Sequence, residues 1–373
     1  MSNDLPSPDQ VGDAPHPSAT LALYGQDQAQ NDFLSAWGAG RLHHAWLLTG
    51  PRGIGKATLA YRMARTRLAN DDDEDGLFGA PEPPHTLAME ADHPIMRRIL
   101  AGAEPRLFTL RRTVNQKTNK LNTVIRVDDV RKLKDFFQLS AADGGWRVAV
   151  VDAAEEMNVS AANALLKFLE EPPAKTMLIL ISHAPAQLLP TIRSRCRTLN
   201  LHALSPDNLA KALETAEMDG ANNPALAALS GGSAGEAIRL NEGGGLTLYA
   251  RIVRLMTGAP GMDRPEMISI AEACMGRDAE STYDLTVRLV DLCLSRLAIA
   301  GAAGPPVMAG APDEPALMQQ LSASPAAARL WADTAAQIAS KTASARAVNL
   351  DPAQVMLDTF FEIDATAQKA RGA

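Results

Sequence analysis

One short segment limits the folds open to this chain more than any other. Residues 50–58 have the sequence GPRGIGKAT, which matches the phosphate-binding pattern GxxxxGK[ST] at Gly50, Gly55 and Lys56. In that pattern the glycines let backbone N–H groups surround a phosphate, the lysine neutralises its charge, and the final hydroxyl holds Mg²⁺. Ala57 occupies the hydroxyl position. The segment therefore predicts a nucleotide-binding fold whose site for hydrolysis is incomplete.

The flanking sequence supplies the context that this pattern requires. Residues 45–49 predict a short buried strand, and residues 57–68 predict a helix that begins at the glycines. Thr58 lies one position late, so its hydroxyl would point about 100° further around the helix. Two interpretations stay open: Gly53 and its neighbours bind ATP or ADP without turnover, or the loop only packs the strand against the helix.

Length and composition narrow the class of protein. At 373 residues the chain is too long for one core of typical size, so we expect two or three domains. A net charge of −7 argues against nucleic-acid binding over the whole surface, although it permits a local basic face. No apolar run reaches the roughly 18 residues needed to cross a bilayer, and residues 1–20 do not resemble a signal peptide. We therefore expect no membrane association.

The cysteines indicate a reducing compartment and argue against a metal site. The chain contains 3 cysteines, no two of which form a CxxC pair, namely Cys196, Cys274 and Cys293. Neither a disulfide framework nor a zinc site is indicated. The sequence therefore predicts a cytoplasmic protein that holds no metal.

A second strand carries another part of a nucleotide site. Residues 147–152 are apolar and end in Asp152, as in strands whose final carboxylate meets the Mg²⁺ shell. The next position, which supplies the catalytic carboxylate in related ATPases, is Ala153, and Glu155 and Glu156 fall in the following turn. A helix is then predicted from an N-cap at Ser160 to the two prolines at 172–173. The candidate residues of the incomplete nucleotide site are Gly50, Gly53, Gly55, Lys56, Thr58 and Asp152.

Several further motifs carry a family resemblance. Residues 163–173 have the sequence NALLKFLEEPP, and residues 194–196 are SRC. Together with GQ at 25–26, HHA at 43–45 and IRVDDVR at 125–131, these motifs resemble the clamp-loader branch of the AAA+ superfamily. The resemblance implies an α/β P-loop NTPase-like domain, a small helical lid and an all-α C-terminal collar domain.

The resemblance also implies a division of the chain. We expect a disordered tail over residues 1–20, the AAA+ α/β domain over 21–203, the helical lid over 204–243 and the collar, which joins subunits into a ring, over 246–373. The acidic run at residues 71–75 suits an exposed insertion after the first helix. Some members of the family carry a four-cysteine zinc module there, but this chain has no cysteine in that region, so no zinc is expected.

Three parts of the hydrolytic machinery of the family's motor subunits are missing. Motor subunits carry Lys-Ser/Thr, Asp-Glu and a lid arginine that reaches the γ-phosphate, whereas this chain has Ala57, Ala153 and Gly235 at those positions. The resemblance thus implies a non-hydrolysing subunit of the clamp loader of bacterial DNA polymerase III, a nucleotidyltransferase, with no required cofactor. Its implied partners are the gamma/tau and delta subunits and, through the complex, the sliding clamp and primed DNA.

Two other functions stay open. The chain would be a motor ATPase in its own right if Thr58 and Glu155 replaced the usual residues, or it would be a nucleotide-sensing adaptor outside replication. The basic stretch at residues 106–134 either faces DNA or is a solvated surface.

The resemblance assigns a role in trans to one residue. In the family the arginine of the SRC motif, here Arg195, acts as an arginine finger on ATP bound by a neighbouring subunit. A guanidinium suits this role because it stays charged and can donate to two phosphate oxygens at once. The simpler interpretation is a surface arginine that pairs with a local carboxylate.

Overall fold

The computed structural model describes residues 8–70, 82–115, 118, 120–138, 145–275 and 279–371. The acidic run at residues 71–75 lies outside this part of the chain. The chain forms two compact units: the first comprises Met1–Asp219 and Gly232–Glu236, and the second comprises Gly220–Gly231 and Ala237–Ala373. The predicted lid is therefore divided between the two units.

The first unit is built on a parallel sheet. Its strands are β1 (Ala45–Thr49), β2 (Leu107–Leu110), β5 (Arg147–Asp152), β6 (Thr176–Ser182) and β7 (Arg197–Asn200), with a separate hairpin of β3 (Val114–Asn115) and β4 (Lys120–Leu121). The 5-stranded sheet has the order β2-β5-β6-β1-β7. Thr49 pairs with Ser182, and Asp152 pairs with Ile181. The central strands β1, β5 and β6 are mostly apolar and buried because helices cover both faces of the sheet.

Helices on both faces of the sheet complete this unit. They are α1 (Asp27–Gly38), α2 (Lys56–Ala69), α3 (Pro94–Leu100), α4 (Val127–Gln138), α5 (Val159–Glu170) and α6 (Pro190–Arg193), and a further helix, α7 (Pro206–Thr215), follows β7. Alternate residues of β1 face opposite sides: Trp46 packs in a core cluster with Phe33 of α1, and Leu47 packs in a second cluster with Leu165 of α5. This arrangement of a parallel sheet between helices is the α/β class of fold that the motifs predicted.

The start of α5 differs from the sequence prediction. Its N-cap is Asn158, whose side chain accepts a hydrogen bond of 2.8 Å from the N–H of Ala161, so the predicted cap at Ser160 is wrong by two positions. Asparagine and serine are comparable N-caps, and Ser160 is instead the second residue of the helix. The end of α5 at Glu170, before the two prolines, is as predicted.

The chain before α1 also differs from its prediction. Residues 8–20, expected to be a disordered tail, make specific contacts within the first unit. The carboxylate of Asp9 is 1% exposed, accepts from Arg111 and lies 3.0 Å from Nε2 of His16, whose ring meets Tyr61 edge-on at 5.7 Å. An ion pair with a distant residue fixes this segment, and no local pattern in the sequence signals it.

The second unit is helical, as the apolar spacing of its sequence predicts. Helices of this part of the chain are α8 (Pro224–Ser230), α9 (Ala234–Glu242), α10 (Gly245–Thr257), α11 (Arg264–Ala273), α12 (Ala279–Ala303), α13 (Glu314–Leu321), α14 (Pro325–Ala347) and α15 (Pro352–Ala370). Helix α9 begins in the first unit and ends in the second. No helix among the described residues is long and apolar enough to span a bilayer.

Within the second unit, a buried polar cluster joins the loop before α13 to helices α10 and α12. Glu314, 1% exposed, accepts from Nε of Arg296 at 2.6 Å, from the hydroxyl of Tyr249 at 2.5 Å and from the N–H of Gly310 at 2.5 Å. Burial opposes ionisation of the carboxyl, but the hydrogen bonds from Arg296 and Tyr249 outweigh it and lower the pKa of Glu314. The cluster is therefore an ion pair with its hydrogen bonds satisfied.

Candidate functional site

The phosphate loop lies at the carboxyl edge of the sheet. It joins β1 to α2, and its glycines Gly50, Gly53 and Gly55 have φ values of 138°, 76° and 100°, which residues with a Cβ rarely adopt. The parallel register places Asp152 and Ser182 at the ends of neighbouring strands on the same edge. The structure thus assembles the predicted strand, loop and helix around these residues.

Lys56 is directed at its own loop. It is 3% exposed, and its Nζ donates to the carbonyl oxygen of Gly50 at 2.7 Å and to that of Pro51. Burial lowers the pKa of Lys56 to about 8, and the nearby charges of Asp152 and Glu155 only partly offset this. A phosphate would have to compete with these carbonyl oxygens for the ammonium group.

Burial raises the pKa of the Asp152 carboxyl. This pKa rises from 3.8 to about 7, the carboxylates of Asp9 and Glu156 contribute in the same direction, and Lys56 and Arg52 act in the opposite direction. The carboxyl is therefore partly protonated at neutral pH, and a metal ion would bind there in competition with that proton. The described residues contain no cluster of three or more metal-ligating side chains.

The glutamates that follow Asp152 have structural partners. Oε1 of Glu155 accepts from the N–H of His183 at 2.7 Å and from that of Ala184 at 3.2 Å, which ties the turn after β5 to the end of β6. Glu156 pairs with Arg112 at 2.7 Å and with Arg52 at 3.8 Å. Oε1 of Glu155 is therefore committed to the backbone, whereas its Oε2 is buried with no hydrogen-bond partner among the described residues.

Residues 233–235 pack directly on the phosphate loop. Oγ of Ser233 donates to the carbonyl oxygen of Arg52 at 2.8 Å. The N–H of Gly235 donates to the carbonyl oxygen of Gly53 at 3.0 Å. A Cβ on Gly235 would lie 3.0 Å from Cα of Gly53. A side chain at Gly235, the position that the family resemblance assigns to the motor subunits' lid arginine, would therefore require the phosphate loop to shift by a few tenths of an ångström. Sequence reasoning missed the role of Ser233, since a serine in a Gly-Gly-Ser-Ala-Gly turn carries no distinguishing signal.

Thr58 is the third residue of α2 and is partly buried. It belongs to the helix that follows the loop, as the sequence predicted.

Arg195 makes the local ion pair that the simpler interpretation predicted. Its Nη2 lies 2.9 Å from Oε1 of Glu170, and its Nη1 donates to the carbonyl oxygen of Thr191 at 3.0 Å. The side chains of Arg195 and Glu170 are 36% and 48% exposed. The guanidinium is therefore held at the surface of the first unit, where a neighbouring molecule can reach it. Burial raises the pKa of the adjacent Cys196 thiol to about 12, which makes it a poor nucleophile.

Much of the charge in the basic stretch is paired within the chain. Ion pairs of the described residues between 106 and 134 are Arg106 with Glu104, Arg111 with Asp9, Arg112 with Glu156, Arg131 with Asp128, and Lys132 with Asp129. Lys117 lies outside the described residues. These pairs reduce the positive potential available to a phosphate backbone, so the structure adds no support for a DNA-facing rim.

Comparison with known proteins identifies related chains. The family model for the DNA polymerase III delta subunit matches residues 25–205. DNA polymerase III subunit delta' of Pseudomonas aeruginosa is 41% identical over 56% of this chain and 59% of its own length, and that of Escherichia coli is 34% identical over 56% and 58%. Subunit tau of Salmonella typhimurium is 29% identical over 72% of this chain and 40% of its own length. The alignments thus span less than two thirds of each of these relatives.

Proposed function

Residues 25–205 match the family model for the DNA polymerase III delta subunit, and from this match we propose that the chain is a non-hydrolysing delta'-type subunit of a bacterial clamp loader. In this role it works in DNA replication in the cytoplasm, with gamma/tau and delta subunits as neighbours. Together they load the sliding clamp onto primed DNA. The chain requires no cofactor or zinc of its own for this role.

The bonding of Glu155 carries the proposal. With alanine at positions 57 and 153, Glu155 is the carboxylate that an intact hydrolytic site would have to recruit, and its Oε1 is held by two backbone N–H groups. This favours a subunit without turnover over a gamma/tau-like motor that uses Thr58 and Glu155. No comparable observation supports a nucleotide-sensing adaptor, because Nζ of Lys56, the group that would bind the nucleotide's phosphate, donates to carbonyl oxygens of its own loop.

Arg195 supplies the catalytic contribution in this proposal. Its guanidinium is partly exposed and permanently charged, and it would stabilise charge on ATP held by the neighbouring subunit. Arginine fingers contribute roughly 10³ to 10⁵ in rate, or about 4 to 7 kcal/mol of barrier. The reaction itself would take place on another chain's nucleotide.

Reconstitution with gamma/tau and delta subunits tests the proposal. We expect Arg195→Ala to lower the ATPase rate that clamp and primed DNA stimulate, while the exposed neighbour Arg193→Ala leaves it unchanged. An unchanged rate for Arg195→Ala in an assembled complex would remove the finger assignment. Failure of the chain to assemble with these subunits would remove the clamp-loader assignment.

The isolated chain provides a separate test. We expect no ATP hydrolysis above background, since the metal ligand and catalytic carboxylate are missing. Turnover at motor-like rates that Lys56→Ala abolishes would instead establish the motor alternative.

A further inference from the structure

We propose that Glu170 is a positioning residue for Arg195. Its carboxylate holds the guanidinium in one orientation while the guanidinium faces a neighbouring subunit's nucleotide. This inference rests on the proposed function of Arg195 as a finger. It concerns the first glutamate of the EEPP sequence at residues 170–173, which has no part in the chain's own nucleotide site.

The end of helix α5 fixes the backbone position of Glu170. Glu170 is the last residue of α5, Glu171 is its C-cap, and the N–H of Glu171 still donates to the carbonyl of Lys167 at 3.0 Å. The prolines at 172–173 prevent the helix from continuing. The carboxylate therefore projects from a position that a rigid helix end determines.

Arg195 is held from two elements at once. Its Nη2 meets Oε1 of Glu170 at 2.9 Å, and its Nη1 donates at 3.0 Å to the carbonyl of Thr191, which lies in the short helix α6. Two contacts from different elements restrict both the position and the plane of the guanidinium. Either contact alone would leave a long, partly exposed side chain free to rotate.

Arg195 keeps N–H donors for a phosphate group while it makes both contacts. A guanidinium carries five N–H donors, and the contacts with Glu170 and Thr191 employ one on each terminal nitrogen. Two phosphate oxygens need only two of the remaining donors. The ion pair can therefore persist while Arg195 engages ATP, and Glu170 acts by orienting the side chain.

A double-mutant cycle in the assembled clamp loader tests this role. Removing the carboxylate with Glu170→Ala should lower kcat by about 2- to 10-fold, the effect of freeing one flexible side chain. The KM for ATP should not change, because the neighbour's own loop binds the nucleotide. In the Arg195→Ala background, Glu170→Ala should have no further effect, since it acts through Arg195.

Matched variants separate positioning from folding. Glu171→Ala removes an adjacent, exposed carboxylate and should leave kcat unchanged. Glu170→Gln keeps an acceptor oxygen and should retain most of the activity, whereas Glu170→Asp, one methylene shorter, should lose activity. The melting temperature should be the same for all four single variants within about 2 °C, because a pair that is half exposed adds little stability.

The outcomes distinguish this inference from the proposed function. An Arg195→Ala complex with full activity means that the proposed function has failed. A reduced rate for Arg195→Ala, together with normal kcat for Glu170→Ala and Glu170→Asp, overturns the positioning role alone. An equal fold loss from Glu170→Ala with and without Arg195 also overturns it. If Glu170→Ala fails to assemble, Glu170→Asp in the same cycle decides.

Discussion

Asp152→Asn should remove a large part of the pH dependence of the first unit's stability. The pKa of Asp152 rises from 3.8 in the unfolded chain to about 7 in the folded one, chiefly through burial. The folded state therefore binds the proton more tightly than the unfolded state does. Stability from this group is greatest below the unfolded pKa, falls as the pH rises through the interval between the two values, and is constant above it.

The size of the effect follows from these two pKa values. A difference of about 3 pKa units corresponds to about 4 kcal/mol once both states are ionised. Between about pH 5.5 and about pH 8 the wild-type unit should lose about 2 kcal/mol of unfolding free energy through Asp152. The amide that Asp152→Asn introduces does not titrate, so the variant should gain about 2 kcal/mol relative to wild type over the same interval.

Urea unfolding followed by tryptophan fluorescence measures this difference. The first unit contains Trp37, Trp46 and Trp146, and the second contains Trp331, so both proteins are compared in a Trp331→Phe background. Asp128→Asn is the matched control, because the side chain of Asp128 is 73% exposed and stays hydrated on folding. We expect its stability relative to wild type to be the same at both pH values.

The reasoning fails if Asp152→Asn and wild type lose stability equally between the two pH values. It also fails if the control shows as large a relative change as Asp152→Asn. The first result would mean that Asp152 is ionised in the folded unit at mildly acidic pH, and that the site could still offer a charged metal ligand.

Two further pairs of substitutions test packing, one pair in each unit. Gly53→Ala would place a Cβ 2.4 Å from Oγ of Ser233 at a φ of 76° and should cost at least about 2 kcal/mol in urea unfolding. Gly40→Ala, at a φ of 64° with open space around it, should cost only about 1 kcal/mol, and equal losses would contradict the predicted contact. In the second unit, Arg296→Met should cost about 3 to 5 kcal/mol in thermal unfolding because it leaves Glu314 buried without its cation. Adding Glu314→Leu should recover much of that loss, and no recovery would show that the pairing is not what stabilises this cluster.

Local patterns were sufficient for much of the fold. The run of apolar residues at β1, the glycines and the helix that follows are contiguous, so their structure depends on near neighbours. The helices of the second unit were likewise predicted from apolar spacing. The N-cap of α5 was predicted two residues late, because Asn158 and Ser160 are both acceptable caps and only the tertiary position of the turn selects one.

Contacts between distant residues were not predictable in the same way. The ordered path of residues 8–20 depends on Asp9 meeting Arg111, and the close fit at Gly53 depends on residues 233–235. Such pairs are far apart in the sequence, and each partner taken alone is an ordinary surface residue type. Their contacts arise only when the elements that carry them pack together.

For the candidate site, the sequence by itself determined which chemical groups are missing. Folding cannot supply a hydroxyl at Ala57 or a carboxylate at Ala153, so the sequence alone determined that these two groups of a hydrolytic site are absent. Only the tertiary structure decided how the remaining groups are used. Glu155 binds the backbone N–H groups that follow β6, and Arg195 rests on Glu170, because a side chain's role depends on which partners the fold brings within hydrogen-bond distance.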